Sequence, residues 1–432
     1  MANTYISRTF GTPTNSAIWT FSVWFKRSKI SATMQIFTAG SGSTDQTRIG
    51  FTGSDFLNVN RNIGGSEVEL LSTKKFRDIN GWYHLVVQNN SGTAAVYVNG
   101  VAVSLNSSSL GTNKINQASV VHQIGDTPAS GENFNGLMSH IHFVDGTIYA
   151  PTVFGSTDSV TGEWKINTSP SVTYGNNGFF ILKDGNSITD QSGEGNNWTL
   201  SSGTLTDTKD CPSNVFATWN PLAQTFSSIG YEHGNTTIAT SADVGQRQSI
   251  STLAASSGKF YMECKLQAIG SNVGSSYPYA GASPQSNFES DTYTGNASIG
   301  YGTTGYVYLN NNSGTNTGTT YTSGDIISVA LDVTNSKIYF AKNGTYISNG
   351  TGIGNPTTGA NPFDISSLTS IDAMGFATSL YNNNGTWQCN FGNGTFGTSA
   401  VTSAGTAGST PGTFEYDVPS GYEPLSTKGL NA

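Results

Sequence analysis

Charge is what this 432-residue chain has least of. Asp, Glu, Lys and Arg make up 11% of it, against about 25% in an ordinary globular protein. The 19 basic residues are outnumbered by 27 acidic ones, for a formal net charge of -8. That excludes the basic face with which a nucleic-acid binder displaces counterions from phosphates. Cysteine is nearly absent: Cys211, Cys264 and Cys389 form an odd set without metal-ligand spacing. Cys264 and Cys389 lie in strand-like runs. They read as small core residues that can pair only if their strands are neighbours. No apolar run nears the ~18–20 residues of a membrane span. The opening M-A-N-T-Y-I-S-R lacks the charged-then-apolar order of a signal peptide, which predicts synthesis in a cytoplasm. Coiled-coil heptads are missing as well, so no trimerising stalk is expected.

What the chain does have is glycine, 52 residues, and aromatics, 11%, set inside alternating runs. Disordered chains lack such aromatics. The run Gly324 to Gly344, G-D-I-I-S-V-A-L-D-V-T-N-S-K-I-Y-F-A-K-N-G, reads as a hairpin. Ile327, Val329 and Leu331 alternate with polar or small residues, Ile338 and Phe340 resume the alternation, and Asn343-Gly344 suits a type I′ turn. Trp82 to Gly100 repeats the design upstream. Trp19 to Lys26 alternates Trp19, Phe21, Val23 and Phe25 against Thr20, Ser22, Trp24 and Lys26. Further short strands come after these, with glycine-rich turns between them. Together these predict an all-β chain of two tandem antiparallel β-sandwiches.

The phrases W-T-F-S-V-W-F-K, G-W-Y-H-L-V-V…V-Y-V-N-G, and a later strand carrying Phe134, Gly136, Met138, Ile141 and Phe143 resemble the laminin-G-like, concanavalin A-type lectin/glucanase family. The order G-K-F-Y-M-E-C-K-L, G-D-I-I-S-V-A-L-D, I-Y-F-A-K-N-G and C-N-F-G-N-G resembles a SPRY domain, with a departure over Phe363–Met374. Nearly the whole chain, including H-F-V-D-G-T-I-Y-A-P-T-V-F-G and C-P-S-N-V-F-A-T-W-N-P-L, resembles a virion-protein family of tailed phages that joins these two modules. The expected layout is therefore a jelly-roll, concanavalin A-like domain over 1–165, a connector over 166–225 able to complete that sandwich, and a SPRY-like domain over 226–432. Gly178 to Leu182 is expected to return beside the N-terminal arm.

Candidate chemistry is thin. Glycoside hydrolases need two carboxylates facing one sugar, and the glucanase motif E-x-D-x-x-E is not here. Glu67 and Glu69 share one strand face, read as a solvated edge. His140 and His142, at i and i+2, read as two polar residues on a solvent or interface face. Gly392, Gly394 and Gly397 spell G-x-G-x-x-G, but a loop stands where a phosphate-cradling helix is needed. No nucleophile elbow, zincin or P-loop motif occurs, so the chain is expected not to be an enzyme and to have no cofactor. The resemblance admits calcium, with Asp126 as its first ligand. Binding is left to loop and face aromatics: Tyr277, Tyr279, Tyr306, Tyr308, Tyr381 and Trp387.

The resemblance implies a non-enzymatic virion structural protein, a tail or fibre component exposed on the particle. It would dock on other virion proteins, for which the arm Met1–Thr14 is a candidate, and bind a host surface polysaccharide or receptor in multiple copies. No nucleic acid and no membrane insertion are expected. A head decoration or head fibre, a structural adaptor without host ligand, and a glycan depolymerase stand as alternatives.

Overall fold

The computed structural model describes residues 4–129, 131–223, 229–240, 247–270, 278–287, 297–310, 314–380, 385–406, 408 and 411–431. The chain divides into two compact units, Met1–Asp207 and Thr208–Ala432.

Unit 1 contains strands β1 (Tyr5–Thr9), β2 (Ile18–Arg27), β3 (Met34–Gly42), β4 (Asp45–Phe51), β5 (Phe56–Ile63), β6 (Ser66–Lys75), β7 (Tyr83–Asn90), β8 (Thr93–Val98), β9 (Val101–Ala102), β10 (Val121–Ile124), β11 (Gly136–Asp145), β12 (Gly155–Thr157), β13 (Trp164–Ile166), β14 (Phe179–Ile181) and β15 (Thr199–Ser202). One sheet runs β15-β1-β10-β3-β4-β5-β6 and the facing one β14-β11-β2-β7-β8-β9. The alternation of β2 sends Trp19, Phe21, Val23 and Phe25 into the core between them. Its other face is also buried. Residues 147–174 fold over it, and Val86, Val144, Phe154, Tyr174 and Phe180 make a second apolar cluster there. Trp24 stacks on His84, and His84 on Trp164 of the β12–β13 hairpin.

Unit 2 contains β16 (Ile229–Glu232), β17 (Thr237–Thr240), β18 (Arg247–Ile250), β19 (Lys259–Ala268), β20 (Tyr279–Pro284), β21 (Ile299–Gly302), β22 (Tyr306–Leu309), β23 (Thr315–Asn316), β24 (Ile326–Asp332), β25 (Lys337–Lys342), β26 (Thr345–Tyr346), β27 (Phe363–Asp364), β28 (Met374–Leu380), β29 (Thr386–Asn390), β30 (Thr395–Phe396), β31 (Ser399–Ala400) and β32 (Glu423–Pro424). The larger sheet runs β16-β17-β29-β19-β24-β25-β26, and β18-β28-β20-β21-β22-β23 faces it. Ile327, Val329, Leu331, Ile338 and Phe340 fill the core, with Val329 opposite Phe340 and Leu331 opposite Ile338. The outer face of the larger sheet is covered by the C-terminal segment: Phe414, Val418 and Tyr422 pack on Tyr261, Ala330 and Tyr339.

The two Asn-Gly turns are alike in detail. Asn99 and Asn343 both take positive φ, as do Gly100 and Gly344. In each, the asparagine N–H donates to a carbonyl at the start of the partner strand, and its Oδ1 accepts that same residue's N–H: His84 in unit 1, Ile326 in unit 2. Each turn glycine also makes room for a ring of the covering segment. A Cβ at Gly100 would strike Trp164, and one at Gly344 would lie 2.7 Å from Tyr416.

Three expectations are corrected. The boundary falls at Asp207/Thr208 rather than near residue 225. Of the 166–225 stretch, residues 166–207 do complete the first sandwich, as that expectation allowed: β14 pairs with β11 and β15 with β1. It is therefore β15, not the 178–182 strand, that lies beside the N-terminal segment. That segment is no free docking arm, since Tyr5–Thr9 is an interior strand flanked by β10 and β15. Asp145 anchors the turn between β1 and β2: its carboxylate accepts the N–H groups of Thr14, Asn15 and Asn177. In unit 2 the ends meet too, with Ala217 N–H bonded to Leu425 O and Thr427 N–H to Val215 O.

Candidate functional site

The outer face of the seven-stranded sheet in unit 1 is a carpet of amides. In β5, Leu57 and Val59 point into the core, so Asn58, Asn60 and Asn62 line the opposite face. Register extends this into rows. One row crosses five strands: Gln123 opposite Thr38, Thr38 opposite Arg48, Arg48 opposite Asn60, Asn60 opposite Glu69. Strands about 4.8 Å apart give it a span of roughly 19 Å. Beside it run Gln46, Asn62 and Glu67, and on the other side Gln35, Gly50 and Asn58.

Hydrogen bonding sorts the atoms of this face. The carboxylates take the amide donors: Asn58 Nδ2 donates to Glu69 (2.9 Å), Asn60 Nδ2 to Glu67 (2.7 Å) and Gln35 Nε2 to Glu132 (2.8 Å). Arg48 bridges Glu67 and Glu132, each at 3.3 Å, and donates to Asn60 Oδ1 at 3.0 Å. What is left over is mainly acceptors, with Asn133 Nδ2 beside Gln35 as an unpaired donor. Gln35 Oε1, Gln46 Oε1, Asn58 Oδ1, Asn62 Oδ1, Gln123 Oε1 and, in the loop after β10, Asp126 Oδ1 are buried atoms without a hydrogen-bond partner among the described residues. An unpaired buried acceptor costs about 1–3 kcal/mol, and six gathered on one sheet and its flanking loop require a reason. An array of oriented carbonyl oxygens suits a partner dense in hydroxyl donors. With one cation among Glu67, Glu69, Glu132 and Asp126, it does not suit an anion.

Glu67 and Glu69 thus orient amides. Asp126 is buried and offers one free oxygen. Calcium takes six to eight oxygens, and no cluster of three or more His, Cys, Asp or Glu able to hold an ion occurs among the described residues. Unpaired oxygens such as those of Gln35 and Asn58 stem from strands two apart. This donor set does not fit a resident ion.

The predicted aromatic cluster divides. Tyr279, Tyr306 and Tyr308 come together on the outer face of the smaller sheet of unit 2. Tyr279 meets Tyr308 edge-on at 5.8 Å, and Tyr308 stacks with Tyr306 at 6.1 Å. Tyr279 is buried there, and the other two are half-buried. Tyr277 and Tyr381 lie outside the described residues. Trp387 is a core residue, fully buried, its Nε1–H donating to Ser379 O at 3.0 Å. The reason is topological: β29 lies between β17 and β19, and Trp387 takes its inward face.

The histidines are not on a solvent face either. His142 stacks on Phe180 at 3.9 Å and bonds Tyr174 Oη through Nδ1 at 2.8 Å, under the covering segment. His140, at a bulge with positive φ, packs against the same ring. Ser22 Oγ lies 2.9 Å from His84 Nε2, a nucleophile-base distance. The far nitrogen defeats it: Trp164 Nε1–H donates to His84 Nδ1 at 2.9 Å, so Nε2 carries the proton and donates to Ser22. Burial lowers the His84 pKa to about 3. Gly392, Gly394 and Gly397 lead into the small β30–β31 pair, and no helix succeeds them. A cleft of about 180 Å³ at the edges of the unit 2 sheets, lined by Ile299, Val307, Leu309 and Phe363 among others, is below the ~300–1,000 Å³ usual for small-molecule sites.

Comparison with known families gives two matches. Residues 2–154 match the concanavalin A-like lectin/glucanases superfamily and residues 272–352 the SPRY domain. Unit 1 thus carries a concanavalin A-like domain and unit 2 a SPRY domain. No curated protein matches the chain. Among solved structures, the SPRY domain of human HERC1 is 16% identical, covering 40% of this chain and 96% of its own, with a TM-score of 0.31. A heptameric SAP-like pentraxin from Limulus polyphemus is 16% identical over 38% of this chain and 86% of its own, TM-score 0.29. Domain 4 of AbnA, a GH43 extracellular arabinanase from Geobacillus stearothermophilus solved with arabinotriose, is 17% identical over 32% and 65%, TM-score 0.26.

Proposed function

We propose that this chain is a non-enzymatic glycan-binding protein, and that the amide face of unit 1 holds a neutral, hydroxyl-rich polysaccharide laid across the strands. The observation that carries the reading is the set of buried, unpaired acceptors on one sheet face; for two of them, Gln35 Oε1 and Asn58 Oδ1, the sister amide donor is taken by Glu132 and Glu69. Sugar hydroxyls are donors spaced along a chain, and a row roughly 19 Å long faces several residues of one. The match of residues 2–154 to a lectin-bearing superfamily supports it. The resemblance of nearly the whole chain to tailed-phage virion proteins supports the setting: an exposed tail or fibre component, docked on other virion proteins and facing a host surface polysaccharide. Many copies on a particle turn weak single sites into avidity. The reading needs no resident cofactor.

The test uses Asn62 and Gln123, two residues of the face whose side-chain oxygens are unpaired. The double variant Asn62→Leu, Gln123→Leu in the full chain should keep its melting temperature and lose about thirtyfold in affinity for a neutral host polysaccharide, at about 1 kcal/mol for each of the two hydrogen bonds removed. Unchanged binding, or no binding of any neutral glycan by the natural protein, refutes the face. Release of sugar from host envelope would make it an enzyme instead. A cryo-EM map of the particle tests the location.

A further inference from the structure

Two cysteines of unit 2 are direct cross-strand partners. Cys264 of β19 stands opposite Cys389 of β29, both fully buried, with sulfurs 2.7 Å apart. Two thiol sulfurs at that separation are inside the sum of their van der Waals radii. Both are free thiols in this structure.

The hydrogen bonds around them define the kind of pair. Cys389 N–H donates to Thr236 O, on the β17 side. Two residues on from Cys264, Leu266 N–H donates to Asp325 O and Leu266 O accepts from Gly324, both on the β24 side. Cys264 shares that side by the two-residue repeat of a strand. Neither cysteine therefore directs its backbone groups at the other. This is a non-hydrogen-bonded antiparallel pair, the kind whose Cα atoms lie about 4.5 Å apart with the closer side chains. That separation lies within the ~4.4–6.8 Å that a disulfide bridges.

We infer that Cys264 and Cys389 are a disulfide site, closed by thiol–disulfide exchange with a low-molecular-weight disulfide while the sandwich is still open. One cysteine thiolate attacks a sulfur of oxidised glutathione and releases one glutathione thiolate. The second cysteine thiolate attacks the mixed disulfide at the protein sulfur and releases the other. Both cysteines are oxidised, two protons leave them, and one oxidised glutathione becomes two reduced ones. The closed core explains the timing. A glutathionyl group has no room beside Met262, whose Sδ is 3.7 Å from Cys264 Sγ. Burial also holds the Cys264 thiol far above its ordinary pKa, so little attacking thiolate forms in the folded state. The bond would clamp β29, with β17 and β16 beyond it, to the central strand β19. The inference is independent of the glycan reading.

The experiment takes the full chain, unfolds it in urea and refolds it with mixed oxidised and reduced glutathione. It is quenched with iodoacetamide and digested without reductant. The expected result is one linked peptide pair joining Cys264 to Cys389, lighter by two hydrogens, with Cys211 alkylated. Protein kept folded in the same buffer should keep both thiols. The linked form should unfold at higher urea than the same protein refolded with dithiothreitol, and Cys389→Ser, but not Cys211→Ser, should abolish that difference. Protein made in an oxidising compartment and isolated folded is read by the same peptide map. Alkylation of both Cys264 and Cys389 in the refolded or compartment-made protein, or a link to Cys211, overturns the inference.

Discussion

Unit 1 should fall apart on mild acidification, because it buries four neutral histidines. Burial lowers His84 and His122 to about 3 and, with Lys183 nearby, His140 to about 4; burial holds His142 well below the ordinary value. Geometry agrees for two of them. His84 Nδ1 accepts from Trp164 Nε1–H and His122 Nε2 from Asn116 N–H, so a second ring proton would face a donor. These folded-state values lie below the unfolded value of 6.5. The stability they contribute is therefore present above pH 6.5 and lost as pH falls toward the folded values. At pH 5 the unfolded His84, His122 and His140 each gain a proton the folded one refuses, worth about 2 kcal/mol apiece and about 6 together, and His142 acts in the same direction. A whole domain is held by about 5–15 kcal/mol. Hydrogen exchange read by mass spectrometry on the full chain, from pH 7.5 to 5 at fixed ionic strength, should show β2, β7 and β11 losing protection together before β19 and β24. Flat protection of unit 1 over that range, or histidine ring resonances titrating near 6.5 in the folded protein, refutes the reasoning.

Unit 2 should respond with the opposite sign. Burial pushes Glu263 up to about 7, against the N–H groups of Glu415 and Tyr416, each donating to it at 2.8 Å. Its contribution is present below 4.5 and lost as pH rises through about 7, about 3 kcal/mol in all; Glu263→Gln should flatten that dependence in urea titrations, and an unchanged slope counts against it. At Gly50, a methyl group would run into Met34 O and come within 2.8 Å of Gln35 Cα. Gly50→Ala should force β3 and β4 apart and cost about 1–3 kcal/mol, seen as a lower urea midpoint; an unchanged midpoint contradicts the packing.

Local pattern carried much of this architecture. Strict alternation in β2, β24 and β25 identifies the inward residues, and each Asn-Gly pair marks a turn whose geometry only those two residues accept readily. Alternation says which residues share a face. It does not say what covers the face. Trp24, His84 and His142 are buried by residues 147–174, a segment without regular periodicity. Trp387 sits in T-W-Q-C-N, where either parity could face inward until β29 is known to be central. The amide face is half visible: N-x-N-x-N in β5 and E-x-E in β6 show the residue types, but only pairing in register reveals that the acids take the donors of Asn58 and Asn60 while the Asn58 and Asn62 carbonyls stay unpaired. In the 166–225 stretch the Gly178–Leu182 strand is legible and becomes β14, but β15, four residues long and polar, is too short to signal itself.

Each unit is sewn shut by its own extremities: β1 lies against β15, and Val215 and Ala217 against Leu425 and Thr427. During synthesis neither half can seal early. The first waits for Ser202 to emerge and the second for Thr427, leaving long-range pairing to the last moment and folding slow. Trimming either extremity should therefore be far more damaging than its few residues suggest. New termini opened at a surface turn, with the old ones joined, should be tolerated, because in each unit the ends that would be linked already touch.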